Sequence, residues 1–322
     1  MANSVAWVNP LELPRAELIG PAVLSDVLVE VERHTASPVA GRYTWLPTGF
    51  EPLDDILNGG LLPGHLMVIG GAYGVGKTIW GLQVARNVVH SDEGRAAIYI
   101  CYEHDRAHLL SRLICLESAE QGRDPEGGLT LRKLGQLTGE SEASVGLISK
   151  LRKMPRYGPV LNVIDSYADR LVLAKASGAT TTLEQIREWA AEMQATDAKQ
   201  VLVVVDYLQK IPVDRSELGP DMEETTYLTQ GLKEMAMTMG IYVIALAASD
   251  RPGLQANRMR FSDLRGSTAL QYESDIGLVF NNKYAIVSRE HMVYNPAQAE
   301  AMRNWIIVTM EKNRAGRNAV DI

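Results

Sequence analysis

The chain has 322 residues, of which 46% are hydrophobic, so it can form one large core, alone or with an accessory arm. Its formal net charge of −7 excludes a broadly basic protein that wraps nucleic acid, but it allows a local basic patch. No apolar run approaches the roughly 20 residues of a membrane span, and no basic-then-apolar leader opens the chain. These features predict a cytoplasmic protein with no membrane partner. The two cysteines indicate neither a disulfide framework nor a zinc site.

Residues 1–45 predict an N-terminal arm followed by a linker helix. Three prolines in the first 21 residues indicate an extended arm. From Leu24, apolar residues recur at i, i+3, i+4 and i+7, which predicts a short amphipathic helix over residues 23–34. A segment containing prolines and a glycine follows. The helix could dock on its own domain or on a neighbouring subunit, and the sequence leaves both open.

A phosphate loop is the most specific motif. Residues 71–78 match G-x-x-x-x-G-K-[ST] at every fixed position, after an apolar run at 66–69 that predicts a strand and before helical spacing at 79–90. Backbone N–H groups of such a loop surround the phosphates of ATP, Lys77 reaches the β and γ oxygens, and the Thr78 hydroxyl can hold Mg²⁺. The predicted cofactor-binding residues are Gly71, Ala72, Tyr73, Gly74, Val75, Gly76, Lys77, Thr78 and, from a later strand, Asp206.

Two further apolar runs deliver carboxylates. Residues 201–205 are apolar and end at Asp206, which predicts a Walker B strand whose carboxylate binds Mg²⁺ through water and orients Thr78. The run at 96–101 leads to Glu103, which could face the γ-phosphate or be an ordinary surface glutamate. Helices at 105–118, 182–193 and 223–239 and strands at 160–164, 241–247, 276–280 and 305–310 predict a mostly parallel α/β sheet.

The most basic stretch runs from residue 251 to residue 265 and holds four arginines with one internal acid, Asp263. A glycine in such a loop allows a nucleic-acid backbone to come close, and the arginines can then contact its phosphates without reading base edges. A solvated charged loop is the alternative. The candidate DNA-binding residues are Arg251, Arg258, Arg260, Arg265 and Gly266.

Together these motifs resemble the RecA-type ATPases of the DnaB, RadA and KaiC groups. T-G-F-x-x-L-D at 48–54 and G-G-L-x-P-G at 59–64 precede the phosphate loop. D-Y-L-Q at 206–209 and D-L-R-x-S at 263–267 make the DnaB type closer than RadA. Lys-Asn-Arg-Ala-Gly at 312–316 fits K-x-R-x-G of DnaB and K-N-R-x-G of RadA.

The resemblance implies an α/β fold, a RecA-like P-loop NTPase domain over residues 46–322, assembled as a homo-oligomeric, hexameric ring with ATP between protomers. It implies Glu103 as general base, Lys312 and Arg314 as groups that reach a neighbour's γ-phosphate, and the arginine loop as a contact to single-stranded DNA. Ala248 departs from the pattern, because DnaB-type proteins have a γ-phosphate-sensing glutamine there. An N-terminal collar domain is expected to be absent, and the end at residue 322 is expected to leave little room for a closing hairpin.

The sequence leaves two functions open. The first is an ATP-hydrolysing translocase or helicase on single-stranded DNA. The second is a regulatory or assembly ATPase that controls a protein partner, with DNA binding weak or lost, and both Ala248 and the acidic balance favour it. Stimulation of hydrolysis by DNA distinguishes the two.

Overall fold

A computed structural model describes residues 21–35, 44–121, 128–139, 146–214, 216, 218, 222–250, 253–254, 256–286 and 300–322. The helices are α1 (Leu24–Thr35), α2 (Glu51–Ile56), α3 (Lys77–Ser91), α4 (Arg106–Gln121), α5 (Leu131–Gly139), α6 (Leu147–Lys153), α7 (Gly158–Asp165), α8 (Leu183–Gln194), α9 (Glu224–Met239) and α10 (Ser267–Glu273). The strands are β1 (Leu66–Gly71), β2 (Arg95–Cys101), β3 (Leu171–Lys175), β4 (Gln200–Asp206), β5 (Tyr242–Leu246), β6 (Ile276–Asn282), β7 (Ile306–Asn313) and β8 (Val320–Asp321).

The strands form one mixed sheet in the order β3-β2-β4-β5-β1-β6-β7-β8. Neighbours from β3 to β6 are parallel, whereas β7 and β8 are added antiparallel. β1, β4 and β5 are buried along their whole length, as expected for parallel strands covered on both faces. The carboxyl ends of β1, β2, β4 and β5 therefore meet at one edge of the sheet, where α/β proteins bind their ligands.

Each face of the sheet has its own core. One core packs α3, α4 and α7 against the sheet, through residues such as Leu82, Leu109 and Leu161. The other packs α8, α9 and α10, through residues such as Ile186 and Leu232. Since α3 follows β1 and α4 follows β2, both helices begin at the carboxyl edge of the sheet, on the same face.

The predicted strand at 160–164 is wrong, because these residues form α7. A short apolar run fits a buried strand or a buried helix equally well, and Pro159 in the first turn favours the helix. The parallel strand that borders β2 is instead β3, which sequence patterning did not predict. The expectation about a closing hairpin is also wrong, since β8 pairs with β7.

The other predicted helices and strands agree with the structure within a few residues. Thr182 caps α8 by accepting a hydrogen bond from the Gln185 N–H at 3.4 Å. Both cysteines are free thiols, with Cys101 buried on β2 and Cys115 half-buried on α4. No helix in the described ranges is long and apolar enough to cross a membrane.

Candidate nucleotide-binding site

The phosphate loop connects β1 to α3, and its lysine side chain forms hydrogen bonds with the main chain at the start of the loop. Gly74 and Gly76 have φ of 75° and 101°, the left-handed region in which glycine carries no penalty. The Lys77 ammonium donates to the carbonyl oxygens of Gly71 and Ala72 at 2.7 and 2.9 Å. Burial lowers the pKa of Lys77, opposed by the charges of Asp206 and Glu103. The three charged groups therefore share one electrostatic environment.

The other loop residues divide between anchoring and exposure. Val75 is buried in the core, whereas Tyr73 is 83% exposed. A side chain at Gly71 would come within 2.8 Å of the Phe280 carbonyl oxygen, so this position needs a glycine for packing against β6. The loop is thus fixed at its base, and its tip is open to a ligand.

Asp206, at the end of β4, is buried and half satisfied. Its Oδ2 accepts a hydrogen bond from the Tyr99 hydroxyl at 2.8 Å, and that hydroxyl also lies 3.0 Å from the Thr78 carbonyl oxygen. Within the described residues, neither Asp206 Oδ1 nor the Thr78 hydroxyl takes part in a hydrogen bond with protein. A carboxylate oxygen and a hydroxyl that remain available are hard oxygen donors, so the residues fit Mg²⁺.

Glu103 follows β2 and is held by the strand that precedes it. The Tyr102 N–H donates to the Asp206 carbonyl oxygen at 2.8 Å, and the His104 N–H contacts Cys101 Sγ at 3.3 Å. The Glu103 side chain itself is exposed, and its negative charge opposes the lowering of the Lys77 pKa by burial. It is therefore available to a solvent molecule at the carboxyl edge of the sheet.

Arg314 lies at the opposite edge of the sheet. Its guanidinium donates to Asp275 Oδ1 at 3.3 Å and to the Tyr272 carbonyl oxygen at 2.5 Å. Asp275 Oδ2 accepts the N–H of Leu66, the first residue of β1, at 2.8 Å. From there to the phosphate loop, β1 rises through five residue steps of about 3.3 Å, or roughly 17 Å. Arg314 is thus at the wrong end of β1 to serve its own phosphate loop.

Lys312 is on β7, two residues before Arg314, and its side chain contacts the end of α10. Its ammonium donates to the main-chain carbonyl oxygens of Gln271 and, at 3.3 Å, Tyr272. Burial lowers the pKa of Lys312, and the nearby Arg314 charge lowers it further. The two cations of the K-x-R motif therefore form one pair on the surface opposite the nucleotide edge.

The structure separates the arginines of the basic stretch. Arg258 forms an ion pair with Asp321 on β8 and donates to the Thr309 hydroxyl at 3.0 Å, and Arg260 lies 3.2 Å from Glu311 on β7. Arg265 is exposed and has no ion pair within the ranges that the structure describes. Arg251 lies outside the described residues.

Arg265 is connected to the Walker B segment through Gln209. The Gln209 amide nitrogen donates to the Arg265 carbonyl oxygen at 3.1 Å, and its amide oxygen accepts the Ala248 N–H at 3.0 Å. The Arg265 N–H in turn donates to the Ala248 carbonyl oxygen at 3.0 Å. Gly266 has a φ of 74°, and a side chain there would meet Thr225 of α9 at 2.3 Å. The glycine thus allows the loop backbone to lie close to α9, and this packing fixes the loop.

The model of the family described as "DnaB-like helicase C terminal domain" matches residues 45–320 of this chain. The chain belongs to this DnaB-like family. It is 26% identical over 239 residues to the replicative DNA helicase DnaB of Geobacillus stearothermophilus, which covers 73% of this chain and 47% of the relative. It is 28% identical over 224 residues to the DNA repair protein RadA of Mycobacterium tuberculosis, covering 68% and 40%. The DnaB-like chain thus spans about half the length of the curated relatives it matches.

Solved structures show the same fold. One of them, described as an ATPase domain, superposes with a TM-score of 0.69 at 21% identity, covering 94% of this chain and 95% of that one. A DnaB-like replicative helicase, solved in a study of its interactions with primase, gives a TM-score of 0.65 at 21% identity, covering 94% and 64%. The predicted RecA-like α/β fold is confirmed.

Some contacts of this DnaB-like site were not predicted from the sequence. Tyr99, Gln209 and Asp275 each hold a predicted site residue in place, yet none was assigned a role. A signal existed for Tyr99, because it lies two residues before Cys101, on the same face of β2, and a buried tyrosine hydroxyl needs a hydrogen-bond partner. No comparable signal marked Asp275, whose partners come from distant parts of the chain.

Proposed function

We propose that this chain hydrolyses ATP with Mg²⁺ in a cytoplasmic ring of identical subunits and uses the cycle to move along single-stranded DNA. The observation that carries the proposal is the position of Arg314 at the opposite edge of the sheet from its own phosphate loop. A cation that cannot serve its own nucleotide can serve a neighbour's in a head-to-tail ring, for which we propose six subunits.

In this proposal each subunit supplies most of one site. The phosphate-loop N–H groups and Lys77 bind the phosphates, which requires Lys77 to exchange its two loop carbonyls for phosphate oxygens. Thr78 and Asp206 would hold Mg²⁺, which would supply positive charge beside the phosphates. Glu103 accepts a proton from the attacking water, whose oxygen bonds to the γ-phosphorus while the bond to the leaving ADP oxygen breaks.

The neighbour completes the site with Arg314 and Lys312. Arg314 now donates to an aspartate and to a main-chain carbonyl, and its side chain is about half exposed. The planar guanidinium can exchange those acceptors for γ-phosphate oxygens, whereas the Lys312 ammonium acts as a point charge. Hydrolysis would therefore depend on assembly.

DNA contact is assigned to Arg265. It is exposed, unlike Arg258, and its main chain is bound through Gln209 to the segment that follows Asp206. A shift in that segment during hydrolysis would move the arginine. Contact with the DNA backbone at this loop requires no sequence readout.

Ala248 favours a second function, in which the nucleotide state controls a protein partner or loader. At the end of β5 its methyl group cannot sense a γ-phosphate, and its N–H is already bound by Gln209. In that case hydrolysis would proceed without response to DNA.

One experiment tests the proposal and separates the two functions. ATP hydrolysis by wild type is measured with and without an oligo-dT strand, beside Arg265→Ala and the charge-matched control Arg152→Ala. The control breaks an exposed ion pair between Arg152 of α6 and Asp165 of α7. Translocation predicts stimulation by DNA that is lost in Arg265→Ala and kept in Arg152→Ala, with equal hydrolysis in the absence of DNA. Hydrolysis that ignores DNA supports the regulatory function, and no hydrolysis refutes both.

A further inference from the structure

We propose that Tyr99 is a positioning residue that aligns Asp206 and Thr78 for Mg²⁺, an inference that rests on the proposed ATP hydrolysis. Its hydroxyl oxygen lies 2.8 Å from Asp206 Oδ2 and 3.0 Å from the Thr78 carbonyl oxygen. It is thus in contact with both residues that would hold the ion.

The ring of Tyr99 is fixed by its surroundings. It is fully buried in the middle of β2, on the face covered by α3. Gly81 of α3 lies over it, and a side chain at Gly81 would come within 3.4 Å of the ring and 3.3 Å of Val204 on β4. The absence of a side chain there lets α3, which begins with Lys77 and Thr78, pack closely on β2 and β4. The hydroxyl therefore has a fixed position between α3 and β4.

The hydroxyl has one proton and two acceptors. An ionised carboxylate forms the stronger, charge-assisted bond, so the proton goes to Asp206 Oδ2. A tyrosine hydroxyl is protonated at neutral pH, so it can donate this hydrogen bond. With Oδ2 occupied in this way, Oδ1 is the oxygen that would remain available to help hold Mg²⁺.

A second donor to the same oxygen is weaker. Cys101, two residues further along β2, places Sγ 3.7 Å from Asp206 Oδ2, and thiols are poor donors. Without the Tyr99 hydroxyl, the carboxylate would be free to turn Oδ2 toward the metal and lose its single orientation. Groups that orient a metal ligand in this way change metal affinity by about 10–100-fold when removed.

Tyr99→Phe tests the inference, because it removes one oxygen and keeps the ring. Tyr242→Phe is the matched control: this tyrosine is also fully buried, but its hydroxyl contacts Gln200 and the Thr44 carbonyl, at the amino-terminal edge of the sheet. Binding of Mn²⁺ in the presence of a non-hydrolysable ATP analogue is measured from the electron paramagnetic resonance signal of the free ion. Urea unfolding of each variant reports the fold.

The expected result is Mn²⁺ affinity about 10-fold weaker in Tyr99→Phe and unchanged in Tyr242→Phe. The Mg²⁺ concentration for half-maximal hydrolysis should rise by a similar factor, while KM for ATP at saturating Mg²⁺ stays the same. Unchanged Mn²⁺ affinity in folded Tyr99→Phe overturns the inference, as does an equal loss in Tyr242→Phe. If wild type neither hydrolyses ATP nor binds Mn²⁺ with the analogue, the proposed function fails and this inference with it. If wild type does both and Tyr99→Phe matches it, only this inference fails.

Discussion

Arg86 of α3 and Glu117 of α4 form a buried ion pair with two contacts. Arg86 Nε lies 2.6 Å from Oε1, and Nη2 lies 2.7 Å from Oε2, with the residues only 6% and 1% exposed. The Tyr167 hydroxyl donates to the same Oε1 at 2.7 Å. Because Lys77 opens α3 and Glu103 precedes α4, this pair joins the two helices nearest the proposed reaction.

Glu117→Ala should destabilise the fold strongly. Among the described residues it leaves the buried guanidinium with Glu120 and Asn87 as partners, and breaking a buried pair in this way lowers the free energy of unfolding by about 3–5 kcal/mol. Urea unfolding measures the effect. The control is Arg152→Ala, which breaks an exposed pair with Asp165 and should leave the transition in place. Equal transitions for wild type and Glu117→Ala would show that the pair does not stabilise the fold.

Lys77→Ala should abolish nucleotide binding or hydrolysis and leave the fold intact. The loop conformation depends on its glycines, and the lysine contributes two hydrogen bonds to loop carbonyls. Binding of a fluorescent ATP analogue and a urea unfolding curve measure the two effects. Retained hydrolysis would rule out the phosphate-loop assignment.

Glu103→Gln should bind ATP and assemble normally but turn over slowly. The amide keeps the shape of the side chain and removes only the proton acceptor. Single-turnover hydrolysis and equilibrium ATP binding separate chemistry from affinity. Near wild-type turnover would place the general base elsewhere.

The linker helix should contribute to assembly. Its apolar residues are exposed in the single subunit, with Leu28 64% exposed. An amphipathic helix buries its apolar face against a partner surface, and we expect a neighbouring subunit to provide that surface. Removal of residues 1–40, or Leu28→Asp, should reduce oligomer size in light scattering while nucleotide binding is kept. Ser25→Asp adds the same charge to the helix as a control. An unchanged oligomer would mean that α1 does not join subunits.

The parts of the fold that follow from local pattern could be predicted. The phosphate loop, the Walker B strand at Asp206 and the order of strands and helices around them are short motifs with strong apolar signals. The helix at α7 could not be distinguished from a strand, because five residues with four apolar side chains satisfy both periods.

Long-range contacts set the rest of the candidate site. Nothing near Arg314 in sequence indicates that Asp275 would bind it and at the same time bind Leu66. Likewise, the arginines at 258 and 260 have the same local composition as Arg265, and only the tertiary pairing of β7 and β8 gives them carboxylate partners. Sequence motifs therefore indicate which residues have suitable chemical groups, whereas the tertiary structure determines which of those groups are already bound to other residues.

A nucleotide site built from two subunits is tested most directly by mixing two variants that are each defective in hydrolysis. Arg314→Ala alone should bind ATP and hydrolyse it slowly, since such fingers contribute on the order of 10³–10⁵ in rate, and Lys312→Ala should show a milder defect. Mixed with an excess of Lys77→Ala, Arg314→Ala should regain part of its hydrolysis, because an intact phosphate loop then meets an intact finger. Normal hydrolysis by Arg314→Ala alone, or no recovery in rings shown to contain both variants, would contradict the shared site.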